Sequence, residues 1–143
     1  MKPTVLQGRP VAPGIAQGEA LVTSAAVSWC GGVDPMTGIV TELGHELHGQ
    51  SVKGKMLVFL TGKGSSAFSH AAHVTRIAGC QPAAVIVKEI NPQTALGTTV
   101  MHIPAVTELE QDPTKFIATG DLVTVDGARG TVTVSKQSQR KGV

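Results

Sequence analysis

Tyrosine is absent from the chain, and only one tryptophan and three phenylalanines are present. The core therefore has to be aliphatic, assembled from Val, Ile, Leu and Ala. The same shortage removes the rings on which bases stack, and the net charge of +2 comes without a long basic run, so nucleic acid is not an expected partner. Gln139-Arg140-Lys141 belongs to a polar, solvated tail over 135–143, after a domain spanning 1–134. No stretch approaches the roughly 20 apolar residues that span a bilayer. Met1-Lys2-Pro3-Thr4 also lacks the apolar run of a signal peptide, so no membrane association is expected. Cysteine is confined to Cys30 and Cys80, in no paired spacing, which points to free thiols in a reducing, cytoplasmic setting. Two cysteines are too few to hold an iron–sulfur cluster, which takes about four protein ligands.

What is present is a chain of 143 residues, the length of one domain. With 41% hydrophobic and 15% charged residues it supports a packed core rather than disorder. Seventeen glycines and eight prolines imply many tight turns, which suit a strand-rich α/β fold. Gly18–Thr23 reads as a strand, and Trp29–Thr41 as a glycine-rich loop that returns into Ile39-Val40-Thr41. Lys55–Leu60 and Ala83–Val87 are continuous apolar runs, as expected of strands covered on both faces. Between them lie the glycine loop Thr61–Ser66 and a helix over Ala67–Ala78, closed by Gly79. Strand, helix and strand in this order imply a right-handed parallel crossover. A short helix over Asn91–Gly97, a strand at Pro104–Val106 and an alternating hairpin over Gly120–Val134 complete the pattern.

Chemistry is expected first at Gly62-Lys63-Gly64-Ser65-Ser66. This loop follows a buried strand and opens a helix, at the strand end where open α/β sheets bind ligands. Gly62 and Gly64 let the backbone approach a ligand closely. A helix start offers unpaired N–H groups and partial positive charge to a carboxylate or phosphate. Lys63 adds a full charge, and Ser65 or Ser66 supplies a hydroxyl. The plain structural reading is that Ser65 caps the helix. The GxxxxGK[ST] spacing of a P-loop is absent. His70 and His73 lie three apart on the predicted helix without a third ligand nearby. His45 and His48 fall in a loop with Glu42 and Glu46, where exposed histidines are expected, and His102 is isolated.

These segments resemble the small subunit of the aconitase X family. The run Trp29-Cys30-Gly31-Gly32-Val33-Asp34-Pro35-Met36-Thr37-Gly38 is similar to its GGVDPxTG segment, and Gly62–Ser66 to its GxGSS motif. His48–Lys55, Pro82–Val87, Ala95-Leu96-Gly97 and Gly120–Gly127 follow in the family's order, so the resemblance runs from about Gly8 to Val134. It implies a single swivelling β/β/α domain, like the mobile domain of aconitase. It further implies a large-subunit partner that holds an iron–sulfur cluster or iron, and a joint site that removes water from a small hydroxy acid. The two substrates the family implies are cis-3-hydroxy-L-proline and mevalonate 5-phosphate, and the small net charge places the first ahead. By the same resemblance Ser65 or Ser66 abstracts the proton. Gly62, Lys63 and Gly64 line one wall of the cleft, and Gly31, Gly32 and Asp34 shape the other; for these three a tight turn is the plain structural reading. Lys63 stands where the family has Arg, so a point charge replaces a bidentate clamp. Cys30, beside the glycine turn, is expected to be a buried structural thiol, with contact to a metal held by the partner as the alternative. The isolated chain, with one wall of a site, is expected to be inactive.

A second resemblance concerns Ser69–Arg76. It is similar to the TSHAA-like motif of the swivelling phosphohistidine domains of enolpyruvate-phosphate-utilising enzymes, in which His70 would carry the phosphoryl group. Phe68 replaces the Thr of that motif, and GGVDPxTG has no counterpart there. A non-catalytic binding domain is the third reading.

Overall fold

The computed structural model describes residues 3–63 and 67–136, with Ala67 and Phe68 given by their backbone alone. Its elements are β1 (Thr4–Gln7), β2 (Arg9–Ala12), β3 (Ile15–Val22), β4 (Val27–Ser28), α1 (Trp29–Gly32), β5 (Met56–Phe59), β6 (Gly62–Lys63), α2 (Ala67–Ile77), β7 (Ala84–Val87), α3 (Pro92–Val100), β8 (Ala105–Thr107), α4 (Pro113–Phe116), β9 (Leu122–Asp126) and β10 (Thr131–Ser135).

Every residue of β5 and β7 is buried. Successive side chains of a strand point to opposite faces, so each strand feeds two cores. Met56, Val58, Ala84 and Ile86 pack with Val123, Val125, Val132 and Val134 of the β9–β10 hairpin. Leu57, Phe59, Val85 and Val87 pack with Trp29, Ala72 and Met101 on the helical side. The Val, Leu, Ile, Phe and Met side chains among these contribute on the order of 1.5–3 kcal/mol each when fully buried. The result is three layers: an antiparallel sheet, a parallel sheet and helices, the β/β/α arrangement expected.

The strand order is β1-β10-β9-β3-β5-β7-β8-β2. Strand β3 belongs to both sheet layers. Its residues Ile15 to Glu19 pair antiparallel with β9, and Ala20 to Val22 run parallel to β5. The parallel set continues through β7 and β8. The outermost strands, β1 and β2, are neighbours in sequence, so the sheet nearly closes on itself and leaves little free edge. Gly8 makes the link. A Cβ there would lie 2.6 Å from Thr107 O and 2.7 Å from Leu109 Cδ2, so a side chain would force the strands apart.

On the helical side, α2 turns Ala72 and Thr75 inward. Thr75 Oγ1 accepts from Trp29 Nε1 at 3.0 Å and donates to Ala71 O at 2.8 Å, which pins the α1 turn against the helix. That turn is irregular: Cys30 (φ −83°, ψ 106°) and Gly31 (φ 85°, ψ −10°) both leave helical geometry. Cys30, expected to be buried, is exposed, because Trp29 takes the inward position of the turn. The expected strand at Gly18–Thr23 starts earlier, at Ile15, and the helix expected at Asn91–Gly97 runs on to Val100 with Asn91 as its N-cap. At the chain's far end Lys136 Nζ bonds Asp121 Oδ2 at 3.1 Å and also donates to Phe116 O. Among the described residues no helix is long and apolar enough to cross a membrane.

Candidate active site

Parallel strands β3 and β5 deliver their following loops to the same side of the sheet. Leu60 N bonds Ala25 O at 3.2 Å, and Val27 N bonds Thr61 O at 2.9 Å. Strand β4 then pairs parallel with β6, Val27 opposite Gly62 and Ser28 opposite Lys63. This small ladder sets the approach to the Gly62 loop beside the approach to the Gly31-Gly32 turn. Gly64, Ser65 and Ser66 lie outside the described residues; α2 begins at Ala67, directly after them.

Glu42 joins the two glycine motifs. The N–H groups of Thr41 and Glu42 both bond Gly32 O, at 2.9 and 3.3 Å. The Glu42 carboxylate then folds over the turn: a Cβ on Gly32 would meet Ser28 Cβ at 3.1 Å and Glu42 Oε1 at 3.2 Å. Its other oxygen, Oε2, takes the Lys63 ammonium at 2.9 Å. Gly31, by contrast, has open space where a Cβ would stand, and its φ of +85° is what demands glycine. Glu42 carries no signal in spacing; only its contact with Lys63, 21 positions along the chain, shows its place.

The loop bearing Glu42 is itself fastened. His45, expected in an exposed position, is buried. Its Nδ1 accepts from Leu47 N at 3.0 Å, and its Nε2 faces Ala26 O at 3.0 Å. A carbonyl can only accept and an amide N–H only donate, so Nδ1 is the acceptor and Nε2 the donor of the ring. Glu46 Oε1 accepts from the Thr23 hydroxyl and, at 2.9 Å, from Ser24 N–H. The Thr23 hydrogen bond above all, with the Ser24 N–H, holds the Glu46 carboxyl below its ordinary range, against the smaller opposing effect of burial.

On its other side the glycine loop meets α3. Asn91 Nδ2 donates to Gly62 O at 2.7 Å and to Thr61 Oγ1 at 3.1 Å, while its Oδ1 caps the helix through Thr94 N at 2.9 Å. Asp34 is occupied within its own turn: Oδ1 accepts from Met36 N at 2.9 Å, and its carbonyl accepts from Gly38 N at 2.7 Å. The structure thus brings Gly31, Gly32, Gly62 and Lys63 together around Glu42, and gives Asp34 the contacts of a turn former. A cavity of about 280 Å³ lined by Ala12, Pro13, Thr98, Thr99, His102 and Ile103 lies at the opposite end of α3.

His70 and His73 are exposed on α2. Among the described residues no three His, Cys, Asp or Glu side chains converge as metal ligands. The Cys80 thiol is buried and donates to Met36 O at 3.2 Å, in surroundings unlike those of exposed Cys30. The donors among the described residues do not assemble a site for iron or an iron–sulfur centre. They fit an anion: a lysine paired to a carboxylate it can exchange, glycine backbone on two sides, and a helix that starts just past the serines.

A three-layer β/β/α domain with a glycine loop at the end of its parallel strands is a swivelling domain of the aconitase kind. Residues 5–134 match the aconitase X swivel domain. The phosphomevalonate dehydratase small subunit of Methanosarcina mazei is 42% identical over 139 residues, covering 97% of this chain and 96% of its own. That of Methanocella arvoryzae is 44% identical over 130 residues, covering 91% and 98%. The crystal structure of Thermococcus kodakaraensis aconitase X in its holo-form superposes with a TM-score of 0.88 at 38% identity, over 93% of this chain and 99% of that one. The chain belongs to the aconitase X family, as its swivel domain, and is a dehydratase subunit of that family. Of the two resemblances carried by the sequence, the match decides for this one over the phosphohistidine swivel.

Proposed function

We propose that this chain is the small subunit of a hydro-lyase that removes water from mevalonate 5-phosphate, in a site completed by a large subunit. Two small subunits of phosphomevalonate dehydratase at 42% and 44% identity support the substrate. The observation that carries the site is Glu42 holding Lys63 at 2.9 Å beside the Gly31-Gly32 turn, because it joins both glycine motifs at the strand ends next to the serines. Ser65 or Ser66, as its alkoxide, takes the proton from the carbon next to the substrate carboxylate. The electron pair of the broken C–H bond forms the double bond as the hydroxyl on the neighbouring carbon leaves. Negative charge grows on the carboxylate during this step, and Lys63 together with the α2 N-terminus offsets it. A serine is a weak base in water and requires such a positive, dry setting. Gly62 and Gly64 give close backbone approach on one wall, and Gly31 and Gly32, in the turn closed by Asp34, form the other. The iron or iron–sulfur centre belongs to the large subunit, and the free thiols of Cys30 and Cys80 suit a reducing cytoplasm.

The test is co-expression with a large subunit of the family, followed by dehydration assays on mevalonate 5-phosphate and cis-3-hydroxy-L-proline. Turnover of mevalonate 5-phosphate by the complex, and none by the small chain alone, is the expected result. Turnover of cis-3-hydroxy-L-proline alone would transfer the same site to the other substrate. Dehydration by the isolated small chain would overturn the shared-site reading.

A further inference from the structure

Strand β6 has only two residues, and the first of them, Gly62, has no side chain with which to pack. Its ladder partner lies on one side only, at β4. On the other side stands the carboxamide of Asn91. We propose that Asn91 is a positioning residue for the serine loop, acting through its NH2 group and separately from its capping of α3; this rests on the proposed role of Ser65 or Ser66.

All four hydrogen-bonding places of the carboxamide are used. Nδ2 donates to Gly62 O at 2.7 Å and Thr61 Oγ1 at 3.1 Å. Oδ1 accepts from Thr94 N at 2.9 Å and Thr94 Oγ1 at 2.7 Å. A flipped amide would set its oxygen against Gly62 O and its NH2 against Thr94 N–H, so the neighbours fix its orientation. Capping alone does not call for asparagine, because Asp, Ser and Thr cap a helix equally well or nearly so. Of these, ionised Asp has no proton to donate and a Ser or Thr hydroxyl has one, whereas the asparagine amide donates twice, to Gly62 O and Thr61 Oγ1, while its oxygen caps the helix. The amide therefore ties the rigid start of α3 to the strand that enters the loop. A shift of the clamp passes to β6, the strand that enters the loop, and misplacement of a reacting group by about 1 Å can cost on the order of 10²-fold in rate.

The experiment compares Asn91→Asp and Asn91→Ser with wild type in the complex with the large subunit. Both variants retain a cap, but Asn91→Asp sets a carboxylate oxygen against Gly62 O and should lower the melting temperature by several degrees, whereas Asn91→Ser adds no such repulsion and should stay within a few degrees of wild type. Turnover should drop about tenfold or more with KM within about twofold, because the loss falls on the reacting geometry and not on binding. Amide exchange across 61–63 should quicken while that of α3 stays unchanged. Full kcat in both variants with unchanged exchange at 61–63 would overturn the proposal. So would activity lost only in step with thermal stability. Ser65→Ala and Ser66→Ala are run alongside. If neither serine change affects turnover, the site reading itself fails, and the exchange data still report whether Asn91 holds β6.

Discussion

Strand β5 and the region just past its end meet different surroundings. Along its length, Met56 and Val58 lie against Val123, Val125, Val132 and Val134, all at 1% exposure or less and without a polar side chain among them. Just past its end, Lys63, Glu42, Asn91 and the positive-φ Gly31 crowd together, half-buried or exposed. The inter-sheet core holds no charge and needs no special backbone. The strand ends need ion pairs, saturated amides and glycine, each locally weak or costly. On the proposed function, stability and chemistry separate here: the β layers hold the fold firmly enough for the loops to keep an arrangement that would not persist alone.

Changes on each side of that divide should therefore have opposite signatures. The largest loss of stability is expected from Ile86→Ala, which empties space in the fully buried inter-sheet core. Denaturant unfolding should show about 2–5 kcal/mol lost. Activity of the folded complex should be nearly unchanged; a large drop in kcat would erase the division between the two regions. Next comes Gly32→Ala, whose methyl would meet Ser28 Cβ at 3.1 Å and Glu42 Oε1 at 3.2 Å. Here activity should fall about tenfold, while stability changes by only about 1 kcal/mol.

Glu42→Gln should act more gently. The pair with Lys63 is half exposed, at 29% and 47%, so its loss should cost less than about 1 kcal/mol. It frees the ammonium for an anionic substrate, so KM should fall a few-fold at low salt, with the gain fading as salt rises. A higher KM would mean that Glu42 orients Lys63 instead of competing for it.

The smallest effect is acid lability. The Thr23 hydroxyl and the Ser24 N–H hold Glu46 low; the Thr114 hydroxyl and then Lys88 hold Asp112 low, with burial opposing in both. A carboxyl whose pKa is depressed by folding adds stability above its unfolded-state value and loses it as pH falls through the folded-state value. The loss should therefore set in below pH about 4. Glu46→Gln should lower the melting temperature slightly at neutral pH and not at all at the acid end. An equal difference at both ends would contradict the assignment.

The same divide governs what the sequence discloses. The apolar runs of β5 and β7, the alternation of β9 and β10, and the α2 helix with Gly79 beyond it are local patterns, and each is legible. Strands β1 and β2 are not, because their partners lie at β10 and β8, about the whole chain away, and Pro10 breaks any alternation. Helix α4 was marked by Asp112-Pro113, a cap followed by proline at the first turn, a signal present but too short to stand out. At the site, the glycines and Lys63 are visible as motifs. Glu42, His45 and Asn91 are not, since their roles depend on contacts across 19 to 29 positions. Asp34 is visible for a different reason: its aspartate-proline turn is local, and the turn is what its carboxylate serves.

The central claim is that a serine of the Gly62–Ser66 loop removes the proton. The most direct measurement is kcat for the complex with Ser65→Ala and with Ser66→Ala, beside thermal unfolding of each. One variant should lose on the order of 10²–10⁴ in kcat with its melting temperature unchanged, and the other should stay within about tenfold of wild type. Near-wild-type turnover in both would show that this chain supplies no base and serves only to shape the site.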